Sequence, residues 1–154
     1  MSKICFVSST GGHYMQLKTL FSKFEDSEFC VVTEKSIVTN RETNLKHNIY
    51  FLKQQERKNL FFIFIFIYNI FISFYYMIKI RPKFIISTGA GAVIPFCILG
   101  KMYGCRLIYI ESFAKVNSPT LTGKILYRFS DKFYVQWEDL LTYYKKAEYK
   151  GRIY

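Results

Sequence analysis

The longest uninterrupted apolar segment is residues 60–78, LFFIFIFIYNIFISFYYMI, which contains no charge. A helix of that length rises about 28 Å, close to the hydrocarbon thickness of a bilayer. Short apolar runs rich in β-branched and aromatic residues lie on either side of it. Residues 3–8 (KICFVS), 29–33 (FCVVT), 49–52, 84–87 (FIIS), 106–110 (RLIYI) and 132–136 (KFYVQ) read as six strands. Between them the rhythm changes to a helical one. Met15, Leu17, Leu20, Phe21 and Phe24 mark a first helix, and residues 34–47 a polar loop with a short helix. Pro82 ends the long apolar helix, because a residue before proline is pushed out of the helical region. A further helix spans 92–103 and stops at Gly104. Ser118-Pro119 opens another that runs to about residue 129, and a short helix and basic tail (145–154) follow.

Strands alternating with helices predict an α/β fold: a Rossmann-like, mostly parallel sheet with helices on both faces. Residues 1–154 are expected to form a single domain. This topology constrains the apolar helix. Were it to span a bilayer, the third and fourth strands would lie on opposite sides and could not share a sheet. The expected placement is in the membrane plane, with one face on the sheet and the other among lipid headgroups, the chain returning beside strand three. The rival is a helix wholly buried in protein.

Charge narrows the partners. The 154 residues are 51% apolar and 19% aromatic, with a net charge of +11. No basic run interleaved with aromatics forms a recognisable nucleic-acid module, so no nucleic acid is expected. Lys53, Arg57 and Lys58 precede the apolar run and Lys79, Arg81 and Lys83 follow it, which favours an anionic membrane surface. Cys5, Cys30, Cys97 and Cys105 are scattered with no CxxC pair, so reduced, buried thiols are expected. With no signal-like N-terminus, a cytoplasmic setting is expected.

Two glycine loops leave strands at the carboxyl edge, where open parallel sheets bind ligands. They are Ser9-Thr10-Gly11-Gly12-His13 and Thr88-Gly89-Ala90-Gly91. Glycines admit close backbone approach, and the helix N-termini that follow favour anions, which suggests a diphosphate. Neither loop has the GxGxxG spacing, although Glu34 after strand two keeps a dinucleotide-binding oxidoreductase open. His13 reads either as a helix-start packing residue or as a phosphate ligand or general base. Glu111, ending strand five, reads either as a solvated or capping acid or as a second acid–base group. No carboxylate pair has metal-ligand spacing, so no metal and no cofactor are expected.

With those residues in view, the chain resembles the PssD-type subunits of bacterial capsule and exopolysaccharide glycosyltransferases. These are similar to the membrane-associated subunit of the eukaryotic transferase that adds the second N-acetylglucosamine to dolichol-diphosphate sugars. Both correspond to the N-terminal half of MurG-like GT-B enzymes. The matching segments are SSTGGHYMQL (8–17), FIISTGAGAVIPF (84–96), YIESFAKVNSPTLTGKILY (109–127) and DKFYVQWEDL (131–140). The resemblance implies one acceptor-side half of a GT-B glycosyltransferase at the cytoplasmic face of the plasma membrane. The acceptor would be a polyprenyl-diphosphate-linked sugar. A small donor-binding subunit would supply the other half and hold the UDP-sugar, leaving this chain inactive or weakly active alone. Transfer would be inverting and metal-independent, with His13 as first-choice base and Glu111 as second. Thr10, Gly11, Gly12, Gly89, Ala90, Gly91, Ser112 and Asn117 would bind the acceptor or its diphosphate. The rival role is a non-catalytic membrane anchor that recruits a partner holding all the chemistry.

Overall fold

A computed structural model describes residues 3–24, 27–40, 47–56 and 60–153. Seven strands form one parallel sheet: β1 (Ile4–Ser8), β2 (Phe29–Glu34), β3 (Asn48–Leu52), β4 (Phe84–Gly89), β5 (Arg106–Ile110), β6 (Lys132–Val135) and β7 (Glu148–Tyr149). Their order is β3-β2-β1-β4-β5-β6-β7. The chain therefore winds outward from β1 to β3, crosses back over β2 and β1, and winds outward again from β4. The fold is Rossmann-like α/β, as the alternating pattern predicts.

Alternation along the strands splits the core in two. Cys5 and Val7 of β1 face one layer, with Val32, Ile85 and Leu107. Three helices close that layer: α3 (Phe62–Ile80), α4 (Ile94–Met102) and α5 (Leu121–Leu126). Phe6 faces the opposite layer, with Val31, Ile86 and Ile110. There it packs against Tyr14 and Leu17 of α1 (Gly12–Lys18) and Phe21 of the following 3-10 turn. A short α2 (Ile37–Asn40) follows β2. All four cysteines are buried free thiols, and burial pushes Cys97 up to about 12.

Four details differ from the sequence reading. The apolar helix does not return beside strand three: β4 pairs with β1, so α3 bridges two strands. It ends at Ile80, where Arg81 adopts a left-handed conformation (φ 48°) and donates its N–H to Met77 O, just before Pro82. The helix expected from Ser118 to about residue 129 is only Leu121–Leu126. Thr120 is its cap, its Oγ1 accepting the Gly123 N–H at 2.8 Å, so Pro119 stays outside. The basic tail contains β7, held to β6 by strand pairing and by the Lys132–Glu148 ion pair. Arg57 and Lys58 lie outside the described residues, as does the end of the expected 34–47 loop from residue 41 to 46.

Helix α3 is inside out. Its buried stripe is Ile65, Asn69, Ser73, Met77 and Ile80, spaced three and four apart and so on one face. Its two small polar side chains thus point at the protein, while Phe64 and Phe71 are 66% and 71% exposed. The wholly buried alternative does not hold for this chain. The polar stripe has a specific partner. Asn69 Oδ1 accepts the Lys53 N–H at 3.0 Å and its Nδ2 donates to Lys53 O at 2.9 Å. Tyr76 adds a bond from its hydroxyl to Phe51 O at 3.0 Å. These contacts stitch α3 along edge strand β3 and the segment after it, where apolar packing is thin.

Replacing Asn69 with Ala should therefore lower stability by about 1–3 kcal/mol, because two backbone groups lose their partners at once. Denaturant unfolding in mild detergent, comparing midpoints with the native chain, reads this directly. An unchanged midpoint would show that the amide clamp is dispensable.

Candidate active site

Strands β1 and β4 are neighbours and parallel, so the loops after them leave the same edge of the sheet at the point where the winding reverses. This is where open α/β sheets place ligands. The two loops are joined directly. Ser9 N–H donates to Gly89 O at 2.7 Å, and Ala90 N–H donates to Ser9 Oγ at 3.2 Å.

His13 sits in the first turn of α1, half-buried, and is tied to β4 twice. Thr88 Oγ1 donates to His13 O at 2.8 Å, and His13 Nδ1 lies 2.7 Å from Thr88 O. A carbonyl can only accept, so Nδ1 carries the proton in this bond. In the neutral ring, Nε2 is then the nitrogen with the lone pair. Gly89 beside the ring has φ +95°, which favours glycine, and a Cβ there would press on Tyr109 Oη at 3.1 Å.

Two buried acids support the loops from beneath. Glu34, at the end of β2, accepts the Thr10 N–H at 3.1 Å on one oxygen and the Gln55 N–H at 2.7 Å on the other. Burial pushes its carboxyl up, opposed by those two N–H groups and by nearby His13. Thr10 itself turns away from the cleft, donating its hydroxyl to Ser36 Oγ at 2.7 Å. Each Glu34 oxygen is thus engaged by a backbone N–H, so the acid holds the loop after β1 against the segment after β3.

Glu111 is fully buried. Its Oε1 accepts from Ser112 N–H and Thr120 Oγ1, both at 2.8 Å; its Oε2 accepts from Tyr144 Oη at 2.8 Å and Thr120 N–H at 3.2 Å. Burial first, and then the Glu111 charge, push the Tyr144 phenol up, which keeps it a donor. Gly123 closes the remaining side: a Cβ there would fall 2.0 Å from Glu111 Oε2. The expectation of Glu111 as an acid–base group in the cleft gives way to a structural part. It ties the two ends of the 112–120 loop together and presents no free oxygen to a substrate.

Two cavities open above this framework. One, of about 330 Å³, is lined by His13, Ala90, Ser112, Lys115, Thr120 and Thr122 among others. The other, of about 370 Å³, lies between the start of α3 and α5, with Phe62, Ile63, Phe66, Leu121 and Ile125 as walls and Ser9, Glu34 and Gly91 deeper. They share Ala90, Leu121 and Thr122 and so form one bipartite cleft. The structure brings His13, Ala90, Gly91 and Ser112 to the cleft. Gly11 and Gly12 are exposed beside it, with open space where a Cβ would go at Gly12. Asn117 is exposed and lines neither cavity. Sequence reasoning missed Lys115, a cation on the cleft wall, although it lies inside the quoted YIESFAKVNSP segment. Among the described residues, no three of His, Cys, Asp and Glu cluster as a metal site.

A seven-stranded parallel sheet with a switch-point cleft of this kind defines the chain as a Rossmann-like α/β domain. It superposes on Acinetobacter baumannii MurG with a TM-score of 0.73 at 16% identity, over 89% of this chain and 42% of that one. A UDP-N-acetylglucosamine 2-epimerase from Rickettsia bellii gives 0.74 at 14% identity, over 99% and 45%. At those identities the likeness is one of fold. The family follows from sequence: residues 4–153 match the family described as "Oligosaccharide biosynthesis protein Alg14 like", and the chain belongs to it. A rat UDP-N-acetylglucosamine transferase subunit ALG14 is 28% identical across 97% of this chain and 82% of its own length. The Schizosaccharomyces pombe subunit is 48% identical over 75 residues, 46% of this chain but only 36% of that one. Of the two resemblances drawn from the sequence, these matches support the eukaryotic membrane-associated subunit; they do not support the PssD capsular type.

The packing around Glu111 gives a sharp expectation. Gly123→Ala puts a methyl group into the carboxylate and should destabilise the chain by about 2 kcal/mol or more. Thermal unfolding should show a lower midpoint by several degrees, of the order of 2–4 °C per kcal/mol at this size. A midpoint equal to the native one would mean Glu111 has room to move.

Proposed function

We propose that this chain is the acceptor-side, membrane-associated subunit of a two-subunit glycosyltransferase. It would hold a polyprenyl-diphosphate-linked sugar, while a separate small subunit binds the UDP-sugar. The names of its relatives favour N-acetylglucosamine as the sugar transferred. The family description favours an oligosaccharide as the product, rather than capsule or exopolysaccharide. The observation that carries the reading is the bipartite cleft: His13 and Lys115 in one part, an apolar groove in the other, shared walls between. An amphiphile with a charged diphosphate between sugar and lipid matches that division.

In the proposed reaction an acceptor hydroxyl attacks the anomeric carbon of the UDP-sugar. The new C–O bond forms as the bond to the UDP oxygen breaks, inverting the carbon. His13 Nε2 takes the hydroxyl proton, with Nδ1–H held by the Thr88 carbonyl so that the lone pair faces the acceptor. Lys115 and the backbone N–H groups at the start of the helix after Ala90 offset the diphosphate charge.

Membrane attachment belongs to the same proposal. Helix α3 is long and apolar enough to cross a bilayer, yet it joins two strands of one sheet. Both its ends therefore lie on one side, and its outward aromatic face would lie in the headgroup plane, at the cytoplasmic face of the plasma membrane. Lys53, Lys79 and Arg81 stand at its ends, where anionic lipid would attract them. The rival reading, an anchor with no part in the chemistry, takes its support from the same outward face.

Two measurements separate these ideas. His13→Ala in the assembled pair should cut kcat by about 10²–10⁴-fold with KM little changed. Near-native turnover would remove His13 from the chemistry and leave the anchor reading. Separately, the native chain should float with vesicles containing anionic lipid at low salt, and Phe64→Glu with Phe71→Glu should release it without lowering its melting temperature. Native protein that stays with the soluble fraction would sink the in-plane helix.

A further inference from the structure

A diphosphate and a sugar account for the His13–Lys115 cavity but not for the groove beside it. That groove is walled by Phe62, Ile63 and Phe66 from the first turns of α3 and by Leu121 and Ile125 of α5. Of its polar lining, Glu34 has each oxygen engaged by a backbone N–H and the Gln55 amide is buried without a partner; the remaining walls are mostly apolar. We infer that this groove receives the first isoprene units of the acceptor's lipid, drawing them out of the membrane beside α3 and delivering the diphosphate to His13. The inference rests on the acceptor reading above and adds a residue-level site for the tail.

Three observations converge on that occupant. The first is adjacency inward: Ala90, Leu121 and Thr122 line both cavities, so the groove and the polar part lie against the same wall. The second is continuity outward. Phe62 and Ile63 sit in the same turn as Phe61 and Phe64, and Ile63 is 55% exposed, so the mouth of the groove merges with the aromatic face of α3. The third is size. At about 370 Å³ the groove lies within the range of small-molecule sites, roughly 300–1,000 Å³.

The test compares two acceptors with the same sugar diphosphate, one bearing a four-isoprene tail and the other a butyl tail. Both are titrated against the assembled subunit pair in detergent. The native pair should bind the longer one at least about tenfold more tightly, since each few buried methylene groups are worth such a factor. Ile125→Gln and, independently, Ile63→Gln should abolish most of that preference while leaving the butyl affinity and the melting temperature as in the native pair. Ile125→Gln should also float with vesicles as the native chain does, because Ile125 is not on α3. Equal affinity of the native pair for both probes, or variants that retain the full preference, would overturn the groove while leaving the diphosphate site standing. Failure of the native pair to bind either probe would overturn the acceptor reading itself.

Discussion

The pairing of β1 with β4 is the constraint on which the site depends. The two strands are far apart in sequence and are brought together by the long crossover through α3. Parallel pairing then forces both following loops to the same edge, and the winding reversal leaves a crevice between them. The two glycine loops and His13 are fastened across this seam: Ser9 to Gly89, Ala90 to Ser9, His13 to Thr88. A register slip of one residue between these strands would separate all three bonds together.

The crossover that makes this seam is itself unusual. A helix in a soluble protein turns its polar side to water. Helix α3 turns Asn69 and Ser73 inward and aromatic rings outward, so the Asn69 amide holds the edge of the sheet and the apolar surface is left for something else. The element that closes the fold is thus also the one with most to gain from a nonaqueous neighbour. One segment couples how the sheet is assembled to where the molecule sits.

Much of this was legible in the residues. Short apolar, β-branched and aromatic runs marked six strands, glycine and proline punctuated them, and the charge-free stretch at 60–78 stood out at once. The reasons for the failures are physical. β7 is two residues long and rests on ion pairing with Lys132 as well as on ladder bonds, which leaves no apolar alternation to detect. The Ser118-Pro119 signal was overridden by Thr120, whose hydroxyl both caps α5 and bonds Glu111. Glu111 itself could not be assigned from sequence, because a strand-end acid that faces a cleft and one sealed beneath it are the same letter. What distinguishes them is Gly123, whose missing side chain leaves space for the carboxylate. Lys115 escaped notice because a lysine in a polar loop has no pattern of its own; only the folding of 112–120 over the cleft reveals it.

The bond between His13 and Thr88 has an evolutionary corollary. Elsewhere a buried histidine is often steered by a carboxylate side chain, which one nucleotide change can delete. Here the steering atom is a peptide oxygen within a central strand. Every amino acid supplies that oxygen, so drift at position 88 leaves the ring's tautomer untouched. Inheritance of the proton arrangement is thereby transferred from the identity of one residue to the persistence of the sheet.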